Sequence, residues 1–142
     1  MINIKMPQMD FRIDLNPWHE LEATREAYTD CVDGVTLIGE DYYAQRRSLA
    51  EVLLKNVDRS RGGIYIFQSF DSNLCVGKSS RLFERILQHL RGAGGATSIH
   101  VKEMRVVSGF HIDDPYERDI YETFTVKELR PRLNILKKTR WL

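Results

Sequence analysis

Four side chains that can bind or protonate a phosphate group lie between residues 78 and 89. Arg81, Arg85 and His89 recur every four residues, so a helix would carry them on one side, and Lys78 stands just before that helix. A guanidinium group matches two phosphate oxygens, and an imidazole gives or takes a proton near neutral pH. This combination is typical of a phosphodiester site. A solvated basic helix face explains the same spacing, so both interpretations stay open on these residues alone.

A hairpin and a helix must position these side chains. Residues 63–67 have the β-branched and aromatic composition of a strand, residues 71–73 are turn formers, and residues 74–77 are typical of a second short strand. Together they predict a β-hairpin. The helix is predicted over residues 81–91 and ends at Gly92. Apolar residues recur every four positions on its other side, which would pack on the hairpin.

The remaining elements follow from alternation and from cap residues. Residues 98–107 alternate well enough to predict a third strand, and an acidic cap followed by proline predicts a helix from 113 to about 129. From residue 61 the order is therefore β-β-α-β-α. A small three-stranded antiparallel sheet flanked by helices, an α+β fold, is the natural packing of these elements. Before residue 61 we predict a mostly helical extension, with one edge strand within residues 1–16.

The motifs on the hairpin and on the last helix resemble those of the GIY-YIG nuclease family. Two three-residue motifs stand ten residues apart, and an arginine follows ten residues after the start of the second. The resemblance covers Arg61 to Asn134, a little over half of the chain, and implies the family's β-β-α-β-α fold. The residues that carry it are Gly63-Ile64-Tyr65, Cys75-Val76-Gly77, Arg85, Glu122 and Asn134.

The resemblance implies a metal-dependent endonuclease that hydrolyses phosphodiester bonds in DNA. By its match to the family's motif, Glu122 is expected to hold a single divalent cation, Mg²⁺ or Mn²⁺. Tyr65 is expected to orient or activate water, and Arg85 to neutralise charge that develops on the phosphate. The domain division implied is 1–60 for the extension and 61–142 for the nuclease domain.

Further roles are expected for residues around these. His89 stands where some family members carry a group that assists proton transfer, near Tyr65. Asn134 would brace the site from the returning segment. Lys78 follows the second motif and counts among the catalytic residues. Lys78, Arg81 and Arg85 are the predicted nucleic-acid contacts.

One residue departs from the family's pattern and keeps a second function open. The second motif normally begins with tyrosine, and Cys75 stands at that position. A thiol lacks the reach of a phenol, so Tyr65, His89 or Lys78 would have to prepare the water. The alternative is a module that keeps the GIY-YIG fold and binds nucleic acid, or regulates, with weak or no cleavage.

Composition agrees with a nucleic-acid partner and argues against several other classes. Residues 1–60 hold seven Lys/Arg and eleven Asp/Glu, whereas residues 61–142 hold fourteen and nine. A basic second half suits an anionic polymer. Two cysteines among 142 residues make neither a disulfide framework nor a zinc set. The low cysteine content fits the reducing cytoplasm. Without an apolar run of membrane-span length, we expect no membrane partner. We expect a monomer or a homodimer.

Overall fold

The computed structural model describes residues 5–22, 40–91 and 101–134. Helix α1 is described over residues 16–22. The other elements, in chain order, are β1 (Phe11–Asp14), α2 (Glu40–Asn56), β2 (Gly63–Gln68), β3 (Asn73–Ser79), α3 (Leu82–Leu90), β4 (Val106–His111) and α4 (Pro115–Leu129). None of the helices within these ranges combines the length and the apolar composition that crossing a bilayer requires.

The sheet is antiparallel throughout, with the strand order β1-β4-β2-β3. This confirms the predicted α+β fold and the hairpin formed by β2 and β3. The three strands predicted from residue 61 onward are present, and β1 joins them, so the sheet of the described residues has four strands instead of three. The predicted edge strand near the N-terminus is β1, and it pairs with β4 from Phe11 opposite Gly109 to Asp14 opposite Val106.

Residues before position 61 thus contribute to the same sheet and core as those after it. Trp18, Leu53 and Val57 are buried in one hydrophobic cluster with residues of β2, β3 and α3. The boundary at residue 60 stays a prediction about the chain's division. Physically, the extension covers one edge of the sheet and part of one face.

The predicted third strand, over residues 98–107, was wrong in position. Its counterpart is β4, Val106–His111, and residues 101–103 form a short 3₁₀ turn instead. β4 lies between β1 and β2, and its Val107 and Phe110 belong to different hydrophobic clusters. A strand buried on both faces does not show the polar-apolar alternation on which the prediction relied.

The two faces of the sheet carry separate hydrophobic clusters. Side chains alternate along β2, so Tyr65 and Phe67 join one cluster, and Ile64 and Ile66 join the other. The first cluster contains the apolar side of α3, and the second contains Val126 of α4. Helices α3 and α4 therefore lie on opposite faces, with β3 as the outer strand between them.

Local signals fix both ends of α4. The Asp114 side chain accepts a hydrogen bond from the Tyr116 N–H at 2.9 Å, and Pro115 occupies the first turn. At the other end, Arg130 adopts a left-handed conformation with φ 47° and ψ 57°. Pro131 disfavours a right-handed helical conformation at the residue before it, so the helix ends there. The chain then turns back along β3.

The left-handed conformation of Arg130 generates a stability prediction. Glycine has no Cβ and adopts positive φ readily, whereas an L side chain pays a conformational cost there. We expect Arg130→Gly to raise the free energy of unfolding by about 0.5 to 1 kcal/mol. Urea denaturation measures this as a higher midpoint with an unchanged slope.

The matched control is Lys127→Gly, one turn earlier on the same helix and also at an exposed position. There glycine should lower the free energy of unfolding by about 1 kcal/mol. A lower midpoint for both variants would contradict the role given to residue 130.

Candidate active site

A cavity of about 400 Å³ opens at the outer edge of the sheet, beside β3. All six residues predicted to be catalytic line this cavity, although they come from β2, β3, α3, α4 and the segment after α4. The lining residues are Tyr65, Cys75, Val76, Gly77, Lys78, Arg85, His89, Glu122, Leu133 and Asn134. The structure thus brings the predicted set together, and the roles assigned to its members stay predictions.

Because Gly77 in β3 has no side chain, side chains from both faces of the sheet can reach the cavity. Tyr65 lies opposite Gly77 in the β2–β3 register. A Cβ added at Gly77 would overlap the Tyr65 hydroxyl oxygen and Cζ. Only glycine therefore leaves room for the phenol to cross β3 toward the edge. Glu122 enters the same cavity from α4, on the opposite face.

Tyr65 and His89 form a buried polar pair at the back of the cavity. The Tyr65 hydroxyl lies 3.0 Å from His89 Nε2, within hydrogen-bond distance. The imidazole is also held by ring contacts, 5.2 Å from Tyr65 and 5.3 Å from Phe67 between centroids. His89 is only 2% exposed. The solvated basic face, which the spacing of Arg81, Arg85 and His89 left open, therefore does not include His89.

Burial and one cation set the protonation of this pair. Burial first, and then the nearby positive charge of Arg85, lower the pKa of His89 from 6.5 to about 4. Burial raises the pKa of the Tyr65 phenol, and the Arg85 guanidinium opposes that rise. At neutral pH the pair is therefore a neutral imidazole and a neutral phenol.

The charged groups of the site come from α3, β3 and α4. Arg85 is half-buried, and its Nη1 donates to Gln88 Oε1 at 3.1 Å. Lys78 pairs with Asp119, with 2.6 Å between Nζ and Oδ1. Glu122 is only 6% exposed, which is unusual for a helical glutamate.

Asp119 is the site residue that sequence reasoning missed. It lies three positions before Glu122, so the two carboxylates share one side of α4. That spacing was the available signal, but it gave no reason to connect Asp119 with Lys78, which is 41 positions away. The ion pair holds the ammonium of Lys78 beside the cavity mouth.

Asn134 replaces a missing neighbouring strand along β3. The Val76 N–H donates to Asn134 Oδ1 at 2.9 Å, and Asn134 Nδ2 donates to the Val76 carbonyl at 2.7 Å. The preceding residue continues the pattern, since the Leu133 N–H donates to the Leu74 carbonyl at 2.8 Å. These contacts fit the predicted bracing role, in which Asn134 holds the strand that bears Gly77.

Cys75 and Arg81 complete the comparison with the predicted set. Cys75 is 3% exposed, and burial raises the pKa of its thiol to about 12. The thiol is therefore protonated at neutral pH and serves neither as nucleophile nor as base. Arg81 lies outside the cavity lining, exposed to solvent, with its Nη1 4.0 Å from a carboxylate oxygen of Glu84. Its contact with nucleic acid stays a prediction.

The donor set of the cavity fits one hard divalent cation. Within the described residues, no cluster of three or more His, Cys, Asp or Glu could hold a metal ion. Glu122 instead offers one buried carboxylate in a cavity that also holds cationic side chains. Mg²⁺ is commonly bound by one or two carboxylates, with water and phosphate oxygens completing its sphere. Glu122 could hold such an ion when a phosphate is present.

A profile of the GIY-YIG catalytic domain matches residues 61–134. The chain belongs to the GIY-YIG family. One relative is the uncharacterized protein YurQ of Bacillus subtilis, which is 34% identical over 82 residues. That match spans 57% of this chain and 66% of YurQ, so this GIY-YIG chain covers less than two thirds of YurQ.

Solved structures of another GIY-YIG domain share the fold. The N-terminal endonuclease domain of UvrC from Thermotoga maritima, bound to its catalytic magnesium, superposes with a TM-score of 0.52 at 21% identity. The superposition covers 62% of this chain and 97% of that domain. A point mutant of the same domain, also bound to its catalytic divalent cation, gives the same TM-score with 96% of its chain covered.

The lowered pKa of His89 predicts a pH dependence of stability. Between pH 6.5 and about 4 the unfolded chain binds a proton at this histidine and the folded protein does not. The contribution of the neutral His89 ring to the free energy of unfolding is therefore fully present above pH 6.5, and it is lost as the pH falls toward 4. The expected loss is about 3 kcal/mol, and it levels off below pH 4.

The measurement compares urea unfolding of the wild type and His89→Gln across this pH range. The difference between their free energies of unfolding should shrink as the pH falls, because glutamine does not titrate. Proton NMR of the His89 ring should show a midpoint near pH 4. A midpoint near the ordinary value of 6.5 would contradict this account of the site.

Proposed function

We propose that this protein is an endonuclease that hydrolyses phosphodiester bonds in DNA with one divalent cation, Mg²⁺ or Mn²⁺, held by Glu122. The observation that carries the proposal is the convergence of Tyr65, Arg85 and Glu122 on one cavity. A phenol, a guanidinium and a buried carboxylate, distant along the chain, meet there beside a second cation, Lys78. The UvrC domain, an endonuclease domain bound to a catalytic magnesium, supports the same choice of chemistry.

Arg85 and Lys78 would bind the phosphate. The Arg85 guanidinium offers two parallel donors to phosphate oxygens and neutralises the charge that grows as the bond breaks. Lys78 lies at the mouth of the cavity, where its Nζ is 2.6 Å from Asp119 Oδ1. When bound, the cation polarises the phosphate and stabilises the leaving 3′ oxygen. Together these groups select a phosphodiester over a neutral substrate.

Tyr65 and His89 would prepare the attacking water. In the tautomer whose Nε2 carries no proton, His89 accepts the hydroxyl proton of Tyr65 while the Tyr65 oxygen takes a proton from water. The water oxygen attacks phosphorus, the bond from phosphorus to the 3′ oxygen breaks, and solvent protonates the leaving oxygen. Tyr65 is thereby left protonated as before, and the proton that it gave to His89 returns to solvent after the product leaves.

Substrate binding would improve His89 as a base. The positive charge of Arg85 is one cause of the lowered pKa of His89. A bound phosphate brings negative charge against that guanidinium, so the pKa of His89 rises toward the working pH. Proton transfer from water through Tyr65 to His89 therefore becomes most effective when the substrate is bound.

A binding or regulatory module with the same fold remains the second candidate, because of Cys75. The position that carries tyrosine in the family's second motif holds a buried, protonated thiol here. If that missing phenol is required, the protein binds DNA without cutting it. We propose that the protein is a monomer or a homodimer and that it is cytoplasmic. A monomer would nick one strand of DNA, whereas a dimer would place two sites on opposite strands.

The central test replaces the metal-binding carboxylate. With Mg²⁺ or Mn²⁺, the wild type should nick or cut plasmid DNA, and Glu122→Gln should lower the rate at least about 100-fold, because several kcal/mol of charge stabilisation are lost. Gel analysis of plasmid topology gives the rate. Glu128→Gln, an exposed glutamate on the same helix, is the matched control and should cut at the wild-type rate. Equal rates for Glu122→Gln and Glu128→Gln would reject the proposed metal ligand.

The second test restores the family's phenol. Cys75 is buried but lines the cavity, which is the direction in which the larger ring of Cys75→Tyr would extend. We expect about a tenfold higher cleavage rate, since a positioned proton-transfer group contributes at least that much. Cys75→Phe supplies the ring without the hydroxyl and should not gain. Cleavage by Cys75→Tyr alone, with none by the wild type, would favour the binding module.

A further inference from the structure

A second feature suited to nucleic acid lies at the turn of the β2–β3 hairpin, away from the catalytic residues. Phe70 is 78% exposed there, so burial in the core does not explain this large apolar side chain. The guanidinium carbon of Arg105 lies 4.6 Å from the centroid of the Phe70 ring, a cation–π arrangement. An aromatic ring backed by arginine on one side is a platform for another flat group.

The platform is held in place before any ligand binds. Ser69 Oγ donates to Asp71 Oδ1 at 2.9 Å, and the Ser69 N–H donates to the Ser72 carbonyl at 2.9 Å, which fixes the turn around Phe70. Arg105 Nη1 lies 3.4 Å from Asn16 Oδ1. A fixed platform loses little conformational entropy when a ligand stacks on it.

A cavity of about 540 Å³ adjoins the platform and carries a small positive charge. Lys102, Arg105 and Arg132 line it together with Asp71 and Glu103, so cations outnumber carboxylates by one. Arg132 Nη2 donates to Glu103 Oε2 at 2.9 Å, which orients the guanidinium at the cavity wall. This volume lies within the range of small-ligand sites, about 300 to 1,000 Å³.

We propose that Phe70, Lys102, Arg105 and Arg132 form a hairpin-tip site that binds an unpaired nucleotide of the DNA near the cleavage point. The base stacks on the open side of the Phe70 ring, and neighbouring phosphates contact the three cations. This inference rests on the proposed function for its choice of DNA. It adds a preference for substrates with unpaired nucleotides, because a paired base inside a duplex cannot offer its flat face.

Residues 132–134, which run beside β3, link the hairpin-tip site to the catalytic cavity. The Arg132 N–H donates to the Asn73 carbonyl at 3.2 Å, and two residues later Asn134 pairs with Val76. From Asn73 to Gly77 an extended strand spans about 13 Å. That distance corresponds to about four stacked nucleotides, at roughly 3.4 Å each along one strand. One DNA strand could therefore occupy both sites.

The experiment measures binding separately from cleavage. Fluorescence anisotropy with labelled duplex DNA, fully paired or carrying a short unpaired stretch, gives dissociation constants in EDTA, where no metal-dependent cutting occurs. We expect tighter binding of the DNA with the unpaired stretch. Phe70→Ala should weaken that binding about tenfold and leave binding of the paired duplex nearly unchanged.

Four further variants separate stacking from general surface effects. Phe70→Leu keeps an apolar side chain without a ring and should behave like Phe70→Ala, whereas Phe70→Trp should retain binding. Tyr116→Ala is the matched control, because Tyr116 is an 82% exposed aromatic residue on α4. It should bind both DNAs as the wild type does. Arg105→Gln should reduce the salt dependence of binding by about 0.7 in the logarithmic slope per lost phosphate contact.

The outcomes distinguish failure of this inference from failure of the proposed function. Equal affinities of the wild type, Phe70→Ala and Phe70→Trp for every DNA would overturn the hairpin-tip site, even if plasmid cleavage depends on Glu122. Loss of binding in Phe70→Ala to the paired duplex as well as to unpaired DNA would also overturn it. The ring-dependent preference, seen without any cleavage in Mg²⁺, would support the hairpin-tip site and reject the nuclease.

Discussion

The site depends on one steric constraint, which is that the Tyr65 phenol packs directly against the backbone of Gly77. β3 lies between α3 on one face and α4 on the other, and a side chain at position 77 would fill the space that the phenol occupies. Because that space is open, Tyr65 and His89 from one face line the same cavity as Glu122 from the other. The two motifs of the hairpin therefore act as one unit, in which the second motif makes room for the first.

Burial then determines what each polar group at this edge can do. His89 and Glu122 are almost completely buried, whereas Lys78 is about half exposed. The imidazole stays neutral near Arg85, and the carboxylate lies where a cation would compensate its charge. The cavity thus has a dry, neutral side formed by Tyr65 and His89 and a wetter, cationic side formed by Lys78 and Arg85. That division suits the hydrolysis of an anionic ester.

Local signals in the sequence predicted the elements well where turns and caps decide them. The hairpin of β2 and β3 follows from a polar turn between β-branched segments, and α4 follows from Asp114, Pro115 and Pro131. The central strand β4 was misplaced, because burial on both faces removes alternation and because Ser108 and Gly109 interrupt its apolar run. Gly109 is required there for a spatial reason, since a Cβ would overlap the Ile64 carbonyl of β2.

The meeting of Glu122 with Tyr65 could not be derived from local pattern. It depends on which faces α3 and α4 cover, so only the resemblance to a family predicted it. The burial of His89 was missed because the apolar side of α3 is wide enough to include it. Asp119 and Phe70 were missed for the same reason, since neither an exposed ion pair nor a single exposed ring produces a periodic pattern in the sequence.

The contacts of residues 132–134 with β3 have a consequence for association between molecules. An outer strand normally offers its free N–H and C=O groups as a template on which another chain can extend the sheet. Here the Asn134 amide and the backbone of Leu133 occupy those groups beside the cavity. Another chain therefore cannot extend the sheet at Leu74 and Val76, whereas ligands can still reach the side chains that line the cavity.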